Sequence, residues 1–347
     1  MILTYKVKHN RDFTEELRKA KQVAEFASKN KFKTSSKLVA HIGLKSVISN
    51  QILRKYGRNK TLKQVHSANL IVPNQGIKFE NGIITIPCLK LELPLNKPTT
   101  KIHQVELDDT FAFVSCDVLE SKQITPKVNL GVDLNTTGHC AVVGCPETGK
   151  VWKLGKQANH IHQKYKHIRK DLQHKGKYKK VKAIKNRESR IVRDLNHKIS
   201  RFIVNLATKL KGGIRLEDLK GIRNNKKHGK KFRYALNSWS FYQLRQFVKY
   251  KSKLAGIPVT LIEPAYTSQT CSKCGQLGER TGKQFKCPTC GHVENADVNA
   301  SFNIAKASVK SQSISQLHKD RDLCKGNSDI PKEATGVRVL TLEPTVL

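Results

Sequence analysis

The chain has 347 residues, 65 of them Lys or Arg against 27 Asp or Glu, for a formal net charge of +38. That excess is larger than solubility requires and points to a polyanionic partner, while the length predicts two or three domains. No apolar run approaches the roughly 18–20 residues that span a bilayer, and Met1-Ile-Leu-Thr-Tyr-Lys meets charge too early for a signal peptide, so neither a membrane nor a secreted protein is expected.

Residues 3–8 alternate and read as a strand. Thr14 precedes Glu15 and Glu16, an N-cap followed by acids that suit the helix dipole. Leu17, Ala20, Val23, Ala24 and Ala27 then recur at helical spacing, which predicts a helix over 14–29. Further helical pieces are expected at 35–42 and 46–56, the latter stopped by Gly57. Lysines and arginines crowd their polar faces, so 11–65 reads as a small basic helical module. From 66 to 125 the pattern changes to short alternating runs (68–73, 82–87, 90–94, 103–107 and 110–115) punctuated by proline and Asn-Gly. This is a β module into which the helical module is inserted after the first strand.

In 127–154, Val128, Leu130, Val132 and Leu134 fall on one face of a strand and Asn129, Gly131, Asp133 and Asn135 on the other. Turns at 135–138 and 146–149 lead into two more strands, a three-strand meander carrying one carboxylate. Taken alone, Asp133 reads as a turn-capping or edge-strand acid. Residues 156–211 hold 18 basic and three acidic residues and are mostly helical. Gly176 separates an earlier piece, and Ile184, Ile191, Leu195, Ile199, Phe202, Leu206 and Leu210 form an apolar stripe. The one-sided charge predicts a surface that tracks a nucleic-acid backbone.

Gly212-Gly213 end the helix and 214–219 reads as a strand. Its adjacent acids Glu217 and Asp218 point to opposite sides, so at most one faces a shared site. After a basic loop at 223–233, Asn237 or Ser238 caps a helix carrying Phe241, Leu244, Val248 and Leu254. Gly256 stops it before a fifth strand at 257–263. Three strands, helix, strand, helix, strand, cysteine loop and helix is the order of an RNase H-like α/β fold, a mixed sheet flanked by helices.

Of nine cysteines, four stand in two knuckles spaced C-x2-C-x12-C-x2-C: Cys271, Cys274, Cys287 and Cys290. Glycines Gly275 and Gly291 follow the knuckles. This spacing suits a closed, structural zinc site and a reducing compartment, with His292 a flanking residue. Cys88, Cys116, Cys140, Cys145 and Cys324 are scattered and read as small buried or incidental residues. Asp297 opens an apolar helical segment seven residues after Cys290. Asp133, Glu217 and Asp297 can therefore meet at one sheet edge, where three carboxylates suffice for two magnesium ions about 4 Å apart and phosphodiester hydrolysis.

The segments 131–135, 216–219, 266–275, 287–291 and 295–304, with 241–251 between them, resemble the TnpB (OrfB) family of transposon-encoded RNA-guided endonucleases, related to type V CRISPR effectors. The resemblance covers about 126–305. It implies that Asp133, Glu217 and Asp297 are RuvC-like catalytic carboxylates holding two Mg2+ ions, and that Cys271, Cys274, Cys287 and Cys290 hold a structural Zn2+. It implies a guide RNA, and a double-stranded DNA target beside a short motif read by the N-terminal modules. The implied domains are a wedge-like β module (1–10 and 66–125), a helical recognition module (11–65), a RuvC-like nuclease domain (126–267 and 293–347) and a zinc ribbon insertion (268–292). The implied location is cytoplasmic and nucleoid-associated, in a bacterial or mobile-element host. The family often has an acid where this chain has Asn295 and a basic residue at Ala296. Two other functions compete with an RNA-guided nuclease. One is a nuclease-silent RNA-guided repressor, against which the intact acid triad argues. The other is a guide-independent resolvase or transposase.

Overall fold

Alternation in Ile2–Lys8 (β1) sends Leu3 and Tyr5 into the core of a mixed α/β protein. The computed structural model describes residues 1–31, 34–59, 61–62, 64–219, 240–307 and 339–340. The chain divides into two units, Met1–Leu119 with Asp322–Leu347, and Glu120–Arg321. In the first, α1 (Thr14–Lys29) buries Ala20, Val23, Ala24 and Ala27 at the expected spacing. Its entry differs from the expectation: Thr14 is already helical, and Asp12 Oδ1 accepts its N–H at 2.9 Å and its hydroxyl at 2.6 Å. The piece expected at 35–42 is a 3-10 stretch, Ser36–Ile42, kinked at Val39, and α2 follows at Ser46–Gly57.

The strands of this unit are β2 (Leu70–Pro73), β3 (Lys78–Glu80), β4 (Ile83–Ile86), β5 (Leu91–Pro94), β6 (Thr99–Leu107) and β7 (Phe111–Val118). β1 pairs antiparallel with β7, β7 with β6 and β6 with β2, while β3, β4 and β5 form a separate sheet. The helices thus enter after the first strand of the larger sheet.

The second unit is built on β8 (Val128–Leu134), β9 (Ala141–Cys145), β10 (Lys150–Leu154), β11 (Gly212–Glu217) and β12 (Val259–Ile262), in the order β10-β9-β8-β11-β12. The first three are antiparallel, and β11 lies parallel to both β8 and β12. Helices α3 (Lys156–His174), α4 (Tyr178–Ala183), α5 (Arg187–Lys209) and α6 (Phe241–Leu254) surround it, and a three-stranded sheet of β13 (Glu279–Thr281), β14 (Gln284–Lys286) and β15 (Val293–Asn295) precedes α7 (Ala296–Lys306). The strand β16, Val339–Leu340, runs parallel to β1, so this part of 293–347 lies in the first unit, not with the 126–267 segment. Asn237, Ser238, the 223–233 loop and Cys324 lie outside the described residues.

The core of this unit joins Leu130, Val132, Ala141 and Val143 from the sheet to Ile199, Ile203 and Val204 of α5 and Leu244 and Val248 of α6. The buried face of α5 is rotated from the expected stripe. Ile191 and Phe202 are exposed, whereas Val192, Asn196, Ser200 and Ala207 are buried. The polar pair belongs there because α6 satisfies it. Asn196 donates to Ser240 Oγ at 2.7 Å and Gln243 Oε1 at 3.0 Å, and Lys251 donates to Ser200 Oγ at 2.7 Å.

Two glycines set the distance between the sheet and α7. Gly131 and Gly144 stand opposite each other on β8 and β9, and both face the helix. A Cβ on Gly131 would collide with the Ser301 carbonyl oxygen and the Ala305 nitrogen; one on Gly144 would meet the side chains of Ser301 and Phe302. Because the obstacle at Gly131 is backbone, Gly131→Ala is expected to cost about 2 kcal/mol or more by overpacking. Chemical denaturation of the full chain measures this, and a loss below about 0.5 kcal/mol would contradict the close contact.

Candidate active site

Strand periodicity puts Asp133 on the same face of β8 as Gly131, and Glu217 on the same face of β11 as Arg215. The register pairs Arg215 with Gly131 and Leu216 with Val132, so Glu217 comes next to Asp133. Helix α7 crosses this face with its C-terminal turn over Gly131 and Arg215. Arg215 donates to the carbonyls of Ala305 and Ala307, each at 2.6 Å, a cation at the negative end of the helix dipole. The N-terminal turn, carrying Asp297, is thereby directed to the end of the face that holds Asp133 and Glu217.

Asn295 caps that turn, its Oδ1 accepting the N–H groups of Asp297 at 3.1 Å and Val298 at 3.4 Å. An acid is not required for this cap, since asparagine serves as well. All three carboxylates are buried: Asp133 is 8% exposed, Glu217 7% and Asp297 6%. Asp133 accepts from Asn135 Nδ2 at 2.7 Å, and Glu217 accepts from the Thr267 hydroxyl at 2.5 Å. Burial, then the charges of Glu217 and Asp297, push the Asp133 carboxyl up to about 7 against the Asn135 hydrogen bond. Burial also raises Glu217, opposed by Thr267. The neighbouring Asp218 turns the other way, to Arg245 of α6 at 2.8 Å.

Asp297 carries a cation of its own. Lys283, in the turn between β13 and β14, places Nζ 2.8 and 2.6 Å from its two oxygens and 3.3 Å from Asn135 Oδ1. Arg280 stands 3.6 Å from the same carboxylate. Beside Asn135 a small cavity of about 30 Å³ is lined by Thr136, Asn159, His162, Gln163, Asn196 and Phe241. His162 Nδ1 is held 2.6 Å from Glu188, which also pairs with Arg169.

The four cysteines of the two knuckles converge, with all sulfurs within 4.8 Å of one another. Cys271 Sγ lies 3.6 Å from Cys290 Sγ, and Cys274 Sγ 3.5 Å from Cys287 Sγ. A tetrahedron of zinc–sulfur bonds of about 2.3 Å has edges near 3.8 Å, so the group can bind a metal such as zinc. Each knuckle closes on a left-handed glycine. Gly275 (φ +79°) donates to the Cys271 carbonyl at 2.9 Å, and Gly291 (φ +67°) to that of Cys287 at 3.0 Å. Fully buried Phe285 packs against Cys271, Cys287 and Ala296.

Helix α7 ties this group to the carboxylates. Asn299 accepts the Ser272 N–H at 2.8 Å and donates to the Thr270 carbonyl at 2.7 Å; Asn303 donates to Thr267 at 2.9 Å and Thr270 at 2.6 Å. These two asparagines, with Thr267, Lys283 and Arg215, escaped the sequence reading. The i, i+4 spacing of Asn299 and Asn303 was the available signal that both face one loop.

The family model described as Cas12f1-like, TNB domain, matches residues 241–304. Over 137 residues the chain is 44% identical to the CRISPR-associated endodeoxyribonuclease Cas12f1 of Sulfoacidibacillus thermotolerans, covering 38% of this chain and 31% of that one. It is 37% identical over 183 residues to a TnpB-like protein of Methanocaldococcus jannaschii, covering 51% and 64%. A TnpB-like protein of Aquifex aeolicus is 30% identical over 214 residues, covering 54% and 69%. The match spans less than two thirds of the length of the first two relatives. No helix among the described residues is long and apolar enough to cross a membrane.

The raised Asp133 carboxyl has a consequence for stability. Its folded value of about 7 exceeds the unfolded value of about 3.9, so the folded state binds more protons between them. Stability is therefore lost as pH rises through that window. Without added magnesium, Asp133→Asn is expected to raise the melting temperature at pH 8 by about 3 °C or more, with the difference shrinking toward pH 5. Thermal unfolding by circular dichroism checks this; equal melting at pH 8 would sink the electrostatic account.

Proposed function

The chain belongs to the TnpB-like family of proteins, and we propose that it is an RNA-guided DNA endonuclease with an RNase H-like (RuvC-like) nuclease domain. The observation that carries this reading is the meeting of Asp133, Glu217 and Asp297, from β8, β11 and α7, on one face of the sheet. Three buried acids, with Glu217 and Asp297 raising the proton affinity of Asp133, form a donor set for hard cations, and the lysine on Asp297 marks a place where positive charge is stabilised. Asp133, Glu217 and Asp297 would hold two magnesium ions, which supply an activated water and neutralise charge on the phosphate. Asn135, Thr267 and the Asn295 cap orient the three acids.

Cys271, Cys274, Cys287 and Cys290 would hold a zinc ion. Four protein ligands leave no open position, so its contribution is structural. In this reading 126–267 with 293–307 is the nuclease domain, 268–292 the zinc ribbon, 1–10 with 66–125 a wedge-like module and 11–65 a recognition module. Guide RNA and double-stranded target DNA are the partners, with base pairing supplying sequence choice while the protein holds the heteroduplex by its backbone. The basic run 156–211 suits that role, and the cytoplasm is the expected location.

Asp133→Ala, Glu217→Ala and Asp297→Ala are each expected to abolish cleavage of guide-matched DNA in magnesium while co-purifying RNA is retained. A variant that cuts at the wild-type rate would remove its residue from the site. Target binding by the wild type without cleavage in any divalent metal would favour a repressor, and purification without RNA a guide-independent enzyme. Cys271→Ser should lower both the zinc content and the melting temperature; a folded, active chain with almost no zinc by elemental analysis would refute the metal assignment.

A further inference from the structure

We propose that Lys283 is a positioning residue that occupies Asp297 in place of a divalent cation and competes with that cation for the carboxylate. The inference rests on the reading of Asp297 as a metal ligand. Lys283 Nζ meets both carboxylate oxygens of Asp297, at 2.8 and 2.6 Å, so an incoming divalent ion would meet a like charge already seated on the same carboxylate. Asp297's side chain is 8% exposed and that of Lys283 40%, so the pair is screened on the acid's side and open on the lysine's.

The backbone of Lys283 is held in place. Its carbonyl accepts the Ala296 N–H at 2.8 Å, and the next residue, Gln284, pairs with Asn295, the cap of α7. The tip of the hairpin is thus anchored within one residue of Asp297, and the four-carbon side chain is the part with room to leave. Asn135 extends the contact: it donates to Asp133 and accepts from Lys283, so the ammonium bridges the first and third carboxylates. With Arg280 at 3.6 Å as a second, weaker neighbour, the hairpin supplies positive charge to a buried acidic cluster that would otherwise repel itself. A divalent ion and this ammonium satisfy the same need and draw on the same oxygens. Metal binding therefore includes displacement of Lys283, and the affinity measured without nucleic acid is lowered by the cost of that displacement.

The test is manganese binding to the full zinc-loaded chain without nucleic acid, read from the electron paramagnetic resonance signal of free Mn2+. Lys283→Gln and Lys283→Met are both measured, with zinc content and melting temperature as checks of folding. Loss of a charge-assisted contact predicts binding about tenfold tighter than wild type. Lys283→Arg, which keeps the cation, is expected to bind no tighter than wild type. Asp297→Asn, alone and combined with Lys283→Gln, should remove the tightened site. If Asp297-dependent binding exists and both neutral variants leave it unchanged or weaker, the competition is overturned while the carboxylate site stands. If no variant shows Asp297-dependent binding, the site reading falls and the proposal with it.

Discussion

The close contact between α7 and the glycine pair Gly131–Gly144 determines where the acids stand. A helix packed on a sheet through ordinary side chains sits about 10 Å away. Here the strands offer no Cβ at the crossing point, and the helix offers Ser301 and Ala305, so the two backbones come into direct contact. A residue at the first turn of such a helix reaches groups on the strands with a short side chain. Asp297 is an aspartate in keeping with that short reach. Arg215 holds the C-terminal end of the helix, reinforcing the glycine contact with two hydrogen bonds.

The electrostatics follow from this packing. Three buried carboxylates in one place are costly, and the protein meets the cost with one hydrogen bond from Asn135, one from Thr267 and two nearby cations. Even so, Asp133 remains partly protonated near neutral pH, pushed up to about 7. A structural ion-pair network would lower that value, since an acid paired for stability has its charged form favoured. Perturbed acids of this kind cluster at functional sites.

Much of this was legible in the sequence. The strand alternation of 128–135, the order of elements and the cysteine spacing depend on local periodicity and fixed ligand geometry, and the structure has those strands, that order and the gathered sulfurs. The misreadings have a common cause. On α5 an apolar-only stripe selected Ile191 and Phe202, because Asn196 and Ser200 are buried through hydrogen bonds to α6, a partner about 45 residues away in sequence. At α1 the N-cap position falls on Phe13, which makes no side-chain cap bond, and Thr14 is bound back to Asp12 instead, a contact that helical spacing alone does not reveal. Lys283 and Thr267 were invisible as site residues for the same reason: each acts through a tertiary contact with an acid far from it in sequence or across a turn.

The cysteine cluster acts on the acids along two routes that converge on α7. Loop 267–272 is bound by Asn299 and Asn303, and that same loop supplies Thr267 to Glu217. The hairpin between the knuckles is bound by β15 and Ala296, and it supplies Lys283 to Asp297. One closed metal centre at the base of both segments would therefore order the partners of two of the three carboxylates without touching either. The loops that carry Thr267 and Lys283 have little apolar surface of their own beyond Phe285, and four sulfur–metal bonds would replace the core they lack.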